Sequence, residues 1–147
     1  MTARKKIIAA NWKMNLTHQD VKSYADVLRV ERRAQFGETD EIVNRKIKAA
    51  LSSGLQPIFC VGETLTERDG QRVEEVLKRQ IQEGLKEVNP RHFPDLVVAY
   101  EPLWAIGTGR TATPEQAQRT HAFIRSVIAL VSDHSAAEQV RIQYGAM

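Results

Sequence analysis

The chain reads as an α/β protein: a parallel sheet of about four strands with flanking helices. Short apolar, β-branched runs alternate with segments of helical periodicity, and sharp helix-start signals follow the strands. Such alternation calls for right-handed crossovers between parallel neighbours. The strands fall near Ile7 to Ala10, Ile58 to Val61, Leu96 to Tyr100 and Arg141 to Tyr144.

The helices are placed by their caps and stripes. Thr17 and Asp20 open a first helix with Val21, Tyr24, Ala25 and Leu28 on one face. Thr39 or Asp40 opens a second, with Val43, Ile47, Ala50 and Leu51 in register and Gly54 as its stop. Thr64-Leu65-Thr66-Glu67 is a capping box. After it Val73, Val76, Leu77, Ile81 and Leu85 define a face ending near Val88, and Asn89-Pro90 stops it. Thr113-Pro114-Glu115-Gln116 opens the last helix, whose stripe runs through Ile124, Val127 and Ile128. Two helices in succession between Thr17 and Ser53 leave one without its own strand.

Composition excludes several classes of function. The 21 basic residues interleave with 18 acidic ones for a net charge of +3, so no basic stripe suited to nucleic acid emerges. Cys60 stands alone in an apolar strand, which favours a buried thiol in a reducing, cytoplasmic compartment over a disulfide framework. The apolar run after the basic start ends at Ala10, too short for a signal sequence or membrane span.

The strand Leu96 to Tyr100 delivers Glu101 to its C-terminal edge, and Pro102 to Gly109 follows as a glycine-hinged loop. Open and barrel-like α/β sheets place chemistry at that edge. A carboxylate there suits a catalytic base under a lid, and the same residues also fit a strand end, a Pro-initiated turn and a polar loop. Lys13 on its own reads as a solvated lysine just past a strand.

Ala99-Tyr100-Glu101-Pro102-Leu103-Trp104-Ala105-Ile106-Gly107-Thr108-Gly109 resembles the catalytic-base and flexible-loop motif of the triosephosphate isomerase family. Ala10-Asn11-Trp12-Lys13-Met14-Asn15 resembles its motif after the first strand. Glu31 to Asp40 resembles the stretch after its catalytic histidine, and Pro57 to Thr64 and Arg141 to Gly145 resemble its fifth and seventh strands with their turns. The resemblance implies a partial (β/α)8 TIM barrel that does not close, because 147 residues fall short of the roughly 250 of a full barrel. Residues 1–147 then form a single incomplete domain: unit one, the helix of unit four, units five and six, and the start of seven, joined near Val30-Glu31.

By the same resemblance Glu101 is the base, Lys13 the cation, Asn11 its neighbour at the substrate oxygen, and Glu31 a carboxylate supporting the lysine and histidine. Trp104, Ala105, Ile106, Gly107, Thr108 and Gly109 belong to the lid over the phosphate, and Tyr144 and Gly145 accept it. The resemblance implies a Glu base working with a neutral His. No histidine here follows a strand as the family's does: His18 and His121 fall in helices, His92 and His134 in connections, with solvated or capping roles expected for all four. Ala146 replaces a loop glycine, and the phosphate-gripping turn after strand eight has no counterpart.

The implied reaction interconverts dihydroxyacetone phosphate and glyceraldehyde 3-phosphate in glycolysis and gluconeogenesis, with no cofactor or metal and a small triose phosphate as partner. With those parts missing, the expectation is weak or no activity for this chain. The other reading is a non-catalytic remnant or isoform that at most binds phosphate. The family's homodimer is not carried over, since the loop after strand three is lacking; self-association or aggregation is expected instead.

Overall fold

The computed structural model describes residues 27–28 and 37–145. The strand expected at Ile7 to Ala10, most of the first helix, and Asn11, Lys13 and Glu31 lie outside these residues. Four strands, β1 (Val27–Leu28), β2 (Ile58–Val61), β3 (Val97–Tyr100) and β4 (Arg141–Tyr144), form one sheet in the order β1-β2-β3-β4. All three pairings are parallel, with Val27 opposite Ile58, Ile58 opposite Val97, and Val97 opposite Arg141. An order that never reverses sends right-handed crossovers to a single face, as in a barrel wall and unlike a doubly wound sheet. Among the described residues the sheet runs from β1 to β4 without closing.

The helices are α1 (Asp40–Ser52), α2 (Leu65–Asp69), α3 (Val73–Gly84), α4 (Pro114–Val131) and α5 (His134–Gln139), with 3-10 turns at Pro90–Asp95 and Leu103–Ala105. Strand alternation divides the apolar residues between two faces. Phe59, Val61, Val98 and Tyr100 join Val43, Ile47, Leu77, Ile81, Ile124 and Ile128 in the core beneath the helices. Ile58, Cys60, Val97 and Ala99 form a smaller cluster on the other face, with Leu103 against it. Both central strands are buried at every position, as parallel strands covered on two faces require.

The caps form as the sequence suggests. Thr39 accepts from the Ile42 N–H, and Thr113 and Gln116 cap each other's backbone across the first turn of α4. Asn44, buried in α1, donates to the carbonyls of Gly84 and Lys86 at 2.9 Å each and fastens α1 to the end of α3.

Three expectations are corrected. Leu28, read on a helix face, is in β1: ladder pairing with Phe59 outweighs its helical spacing. The helix read from Thr64 to about Val88 is two helices. The Thr64 capping box opens only the five-residue α2, and the chain turns at Gly70 and Gln71, the latter at φ +56°, before α3 begins; Glu87 at φ +58° then prevents continuation to Val88. His92 lies in a 3-10 turn and His134 opens α5, capped by Asp133, rather than standing in irregular connections.

Candidate active site

The site is built where β2, β3 and β4 leave the sheet. Beyond β3 the ladder continues one residue, the Glu101 N–H donating to the Val61 carbonyl at 2.8 Å, so Glu101 emerges at the C-terminal edge. Gly62 passes directly beneath it. A Cβ on Gly62 would lie 2.1 Å from the Glu101 carbonyl oxygen, so only glycine permits this approach. Gln80 of α3 holds that glycine from the other side, its amide accepting from the Gly62 N–H at 2.9 Å and donating to the Gly62 carbonyl at 3.0 Å. Across the edge, the Gly145 N–H donates to the Tyr100 carbonyl at 3.0 Å. The half-buried Glu101 side chain lies against Gly145, where a Cβ would stand 3.0 Å from Oε1.

Glu63 is fully buried at the same edge. Its carboxylate accepts from the Tyr100 hydroxyl at 3.0 and 3.1 Å, from the Trp104 indole at 2.8 Å and from Arg68 at 3.0 Å. These partners compensate a charge that burial would otherwise make costly. Burial first, then the Glu63 charge, hold the Tyr100 phenol far above its ordinary pKa, so it remains a donor. The Arg68 guanidinium also lies 4.6 Å from the Trp104 ring centre.

From Trp104 the chain runs out into an exposed loop. Gly107 and Gly109 adopt φ of +68° and +72° with open space where a Cβ would stand, so backbone conformation rather than crowding selects them. Thr108 folds the loop on itself, its hydroxyl donating to the Trp104 carbonyl and accepting from the Arg110 N–H. Ala105 is buried in the 3-10 turn; exposure begins at Gly107. The far end is held by Tyr144, whose hydroxyl accepts from the Ala112 N–H at 2.9 Å. The loop is therefore pinned at both ends, by Glu63 and by Tyr144.

Of the sequence-derived candidates, the structure brings Glu101, Trp104, Tyr144 and Gly145 together. Half-buried Ile106 and exposed Gly107, Thr108 and Gly109 form the loop between the two pins. None of the three described histidines stands beside Glu101 as a strand-end donor. His92 and His134 belong to elements that lead into β3 and β4, at the opposite edge. His121 is in α4, edge-on to the Tyr100 ring at 6.4 Å between centroids. It is half-buried rather than in the solvated or capping role expected above: burial, then Arg125, lowers its pKa. Sequence reasoning passed over Glu63, Arg68 and Gln80. The signal for Glu63 was its place just after β2, parallel to that of Glu101 just after β3. Among the described residues no group of His, Cys, Asp or Glu gathers in a way that could hold a metal.

The triosephosphate isomerase family profile matches residues 27–147. The chain belongs to that family. Its match begins at the residue that begins β1. The triosephosphate isomerase of Geobacter metallireducens is 56% identical over 115 residues, covering 78% of this chain and 46% of that protein. Those of Endomicrobium trichonymphae and Chloroherpeton thalassium are each 52% identical, over 123 and 115 residues, covering 84% and 78% of this chain and 49% and 46% of theirs. The chain spans about half the length of these curated relatives.

Proposed function

We propose that this chain carries the base-and-lid part of a triosephosphate isomerase site, and that as a 147-residue chain it interconverts dihydroxyacetone phosphate and glyceraldehyde 3-phosphate weakly or not at all. The observation that supports the reading best is the Glu101 carboxylate at the C-terminal edge of β3, against Gly145 and at the foot of a loop held by Glu63 and Tyr144. A base so placed can lift a proton from a carbon next to a carbonyl. The loop above it, with its free Gly107 backbone, suits a lid that keeps the enediolate dry and its phosphate from leaving. By the family resemblance, Lys13 supplies the cation for the developing charge, Asn11 acts at the substrate oxygen, and Glu31 supports that lysine. No cofactor is required.

Weak turnover follows from what the chemistry lacks. With no histidine donor beside Glu101 among the described residues, the carbon acid meeting it is poorly acidified, and loss of one such donor typically costs about 10²- to 10³-fold. A loose phosphate grip costs more, because remote binding energy positions the reacting carbon. The join near Val30-Glu31 is carried from the family resemblance, and the family match itself begins at Val27. Placement in glycolysis, and in the cytoplasm, is supported by the relatives; no described helix is long and apolar enough to cross a membrane.

A coupled isomerase assay on protein free of the host's own enzyme tests this, with Glu101→Asp and Lys13→Ala alongside. The expected result is turnover near background in all three. Robust turnover that both substitutions abolish would overturn the low-activity reading while keeping the site. A second reading, phosphate binding without turnover, is favoured by the loop's two intact anchors. It predicts saturable binding of inorganic phosphate that Gly107→Pro removes.

A further inference from the structure

We propose that the cleft between α2 and the two ends of the 104–112 loop binds a small organic monoanion with a flat apolar body. The cleft holds about 450 Å³, within the range of about 300–1,000 Å³ typical of ligand sites. Trp104 at one end of the loop, and Arg110 and Thr111 at the other, both line it. Glu101 does not, so this is not the substrate site. That the occupant grips both ends of a lid rests on the reading of 104–112 given above.

The chemistry of the lining selects the ligand. Leu65, 43% exposed, is one of two large apolar side chains left in solvent among the described residues, and it forms one wall. Trp104 and Arg68, whose Cζ stands 4.6 Å from the indole ring centre, form another, with flat groups that a planar ring can pack against. The Arg68 charge is already shared with Glu63 at 3.0 Å. Arg110 is exposed and has no ion-pair partner among the described residues, so it is the cation left for an incoming anion. Asp69 also lines the cleft. Its charge disfavours a dianion and orients a monoanion toward Arg110. A ligand stacked on Trp104 and paired with Arg110 joins the two ends of the loop, so its occupancy couples to how the loop moves.

The test is a titration of the ¹⁵N-labelled chain with 2-naphthoate, with uncharged 2-naphthol as control, followed by NMR. Trp104→Phe assigns the indole resonance. The expected result is saturable movement of the Trp104 indole and the Arg110 and Thr111 amides, with Val98 and Ile81 in the core unmoved. Arg110→Gln should weaken the affinity about tenfold or more, the usual worth of one charge-assisted hydrogen bond. Asp69→Asn should strengthen it. Leu65→Ser, which leaves every charge in place, should weaken it through the lost apolar wall. Still resonances at millimolar naphthoate, equal binding of naphthol, or an Arg110→Gln titration matching the parent overturns the proposal. Because the readout is binding, it stands or falls separately from the isomerase assay.

Discussion

The Trp104 indole donates to the buried Glu63 carboxylate at 2.8 Å, and this bond joins the start of the exposed loop to the end of a different strand from the one that carries Glu101. Two strands therefore share the task of building one edge. β3 delivers the half-buried carboxylate proposed above as the base, while β2 delivers a carboxylate enclosed by Tyr100, Trp104 and Arg68. The same functional group takes opposite roles because one is half-buried beside a glycine and the other is saturated with donors.

Removing the Glu63 carboxylate should be costly. Glu63→Leu leaves the Tyr100 hydroxyl, the Trp104 indole and Arg68 without their acceptor. The expected loss is about 3 kcal/mol, held to the low end of the buried-pair range because Arg68 reaches solvent. Glu63→Gln keeps an acceptor and should cost about 1–2 kcal/mol. Urea midpoints for the two variants should differ in that order; equal midpoints would show that the network contributes little.

The two glycines flanking Glu101 should respond in opposite ways. At Gly62 a methyl would meet the Glu101 carbonyl at 2.1 Å, and backbone there has nowhere to go. Gly62→Ala should destabilise by about 3 kcal/mol or more. At Gly145 the same methyl meets the end of a flexible side chain at 3.0 Å. Gly145→Ala should alter stability by under about 0.5 kcal/mol while displacing the carboxylate. The check is thermal unfolding beside the ¹³C resonance of the Glu101 carboxyl group; a Gly145→Ala protein with an unmoved resonance would refute the contact.

What the sequence made legible was whatever local chemistry decides. β2 matches the run Ile58 to Val61, an apolar stretch bounded by turns that leaves little choice, and β4 matches Arg141 to Tyr144, where Ile142 and Tyr144 alternate with polar residues. The Thr113 and Thr64 capping boxes formed because both halves of each bond lie within one turn. Non-local features were hidden. Leu28 looks helical by spacing and joins Val27 in a strand only because Ile58 and Phe59 offer an edge. Gln80 and Gly62 are 18 residues apart, and nothing local marks Gln80 as the amide that clasps that peptide. The Gly70-Gln71 break was open to reading, as Asp69-Gly70 is a turn signal inside an apparent helix.

Stability should fall at both pH extremes for identifiable reasons. The folded state lowers the His121 pKa through burial, then Arg125, so His121 binds protons more readily when unfolded. Its contribution is present above the ordinary value of about 6.5 and is lost as pH falls through the folded pKa. Tyr100 is raised instead, so its contribution is present below about 10 and is lost at higher pH, where the unfolded phenol ionises first. Denaturation midpoints against pH should flatten on the acid side in His121→Gln and on the alkaline side in Tyr100→Phe. Unchanged slopes in both variants would assign the pH dependence to other groups.

Self-association should follow from β4. Among the described residues it pairs only with β3, and Ile142 and Tyr144 are only partly covered while Gln143 is exposed. A parallel edge with apolar neighbours offers backbone donors and acceptors to another chain, and natural edges are blunted by charge, Lys above all. Gln143→Lys places such a charge at an exposed position without touching the core under the helices. Sedimentation velocity over a range of concentrations should show association in the parent and a shift toward monomer in Gln143→Lys, with thermal unfolding little changed. If the parent stays monomeric at high concentration, the edge is protected in solution and β4 is not the route to assembly. If Gln143→Lys associates as strongly as the parent, the contact lies on another face.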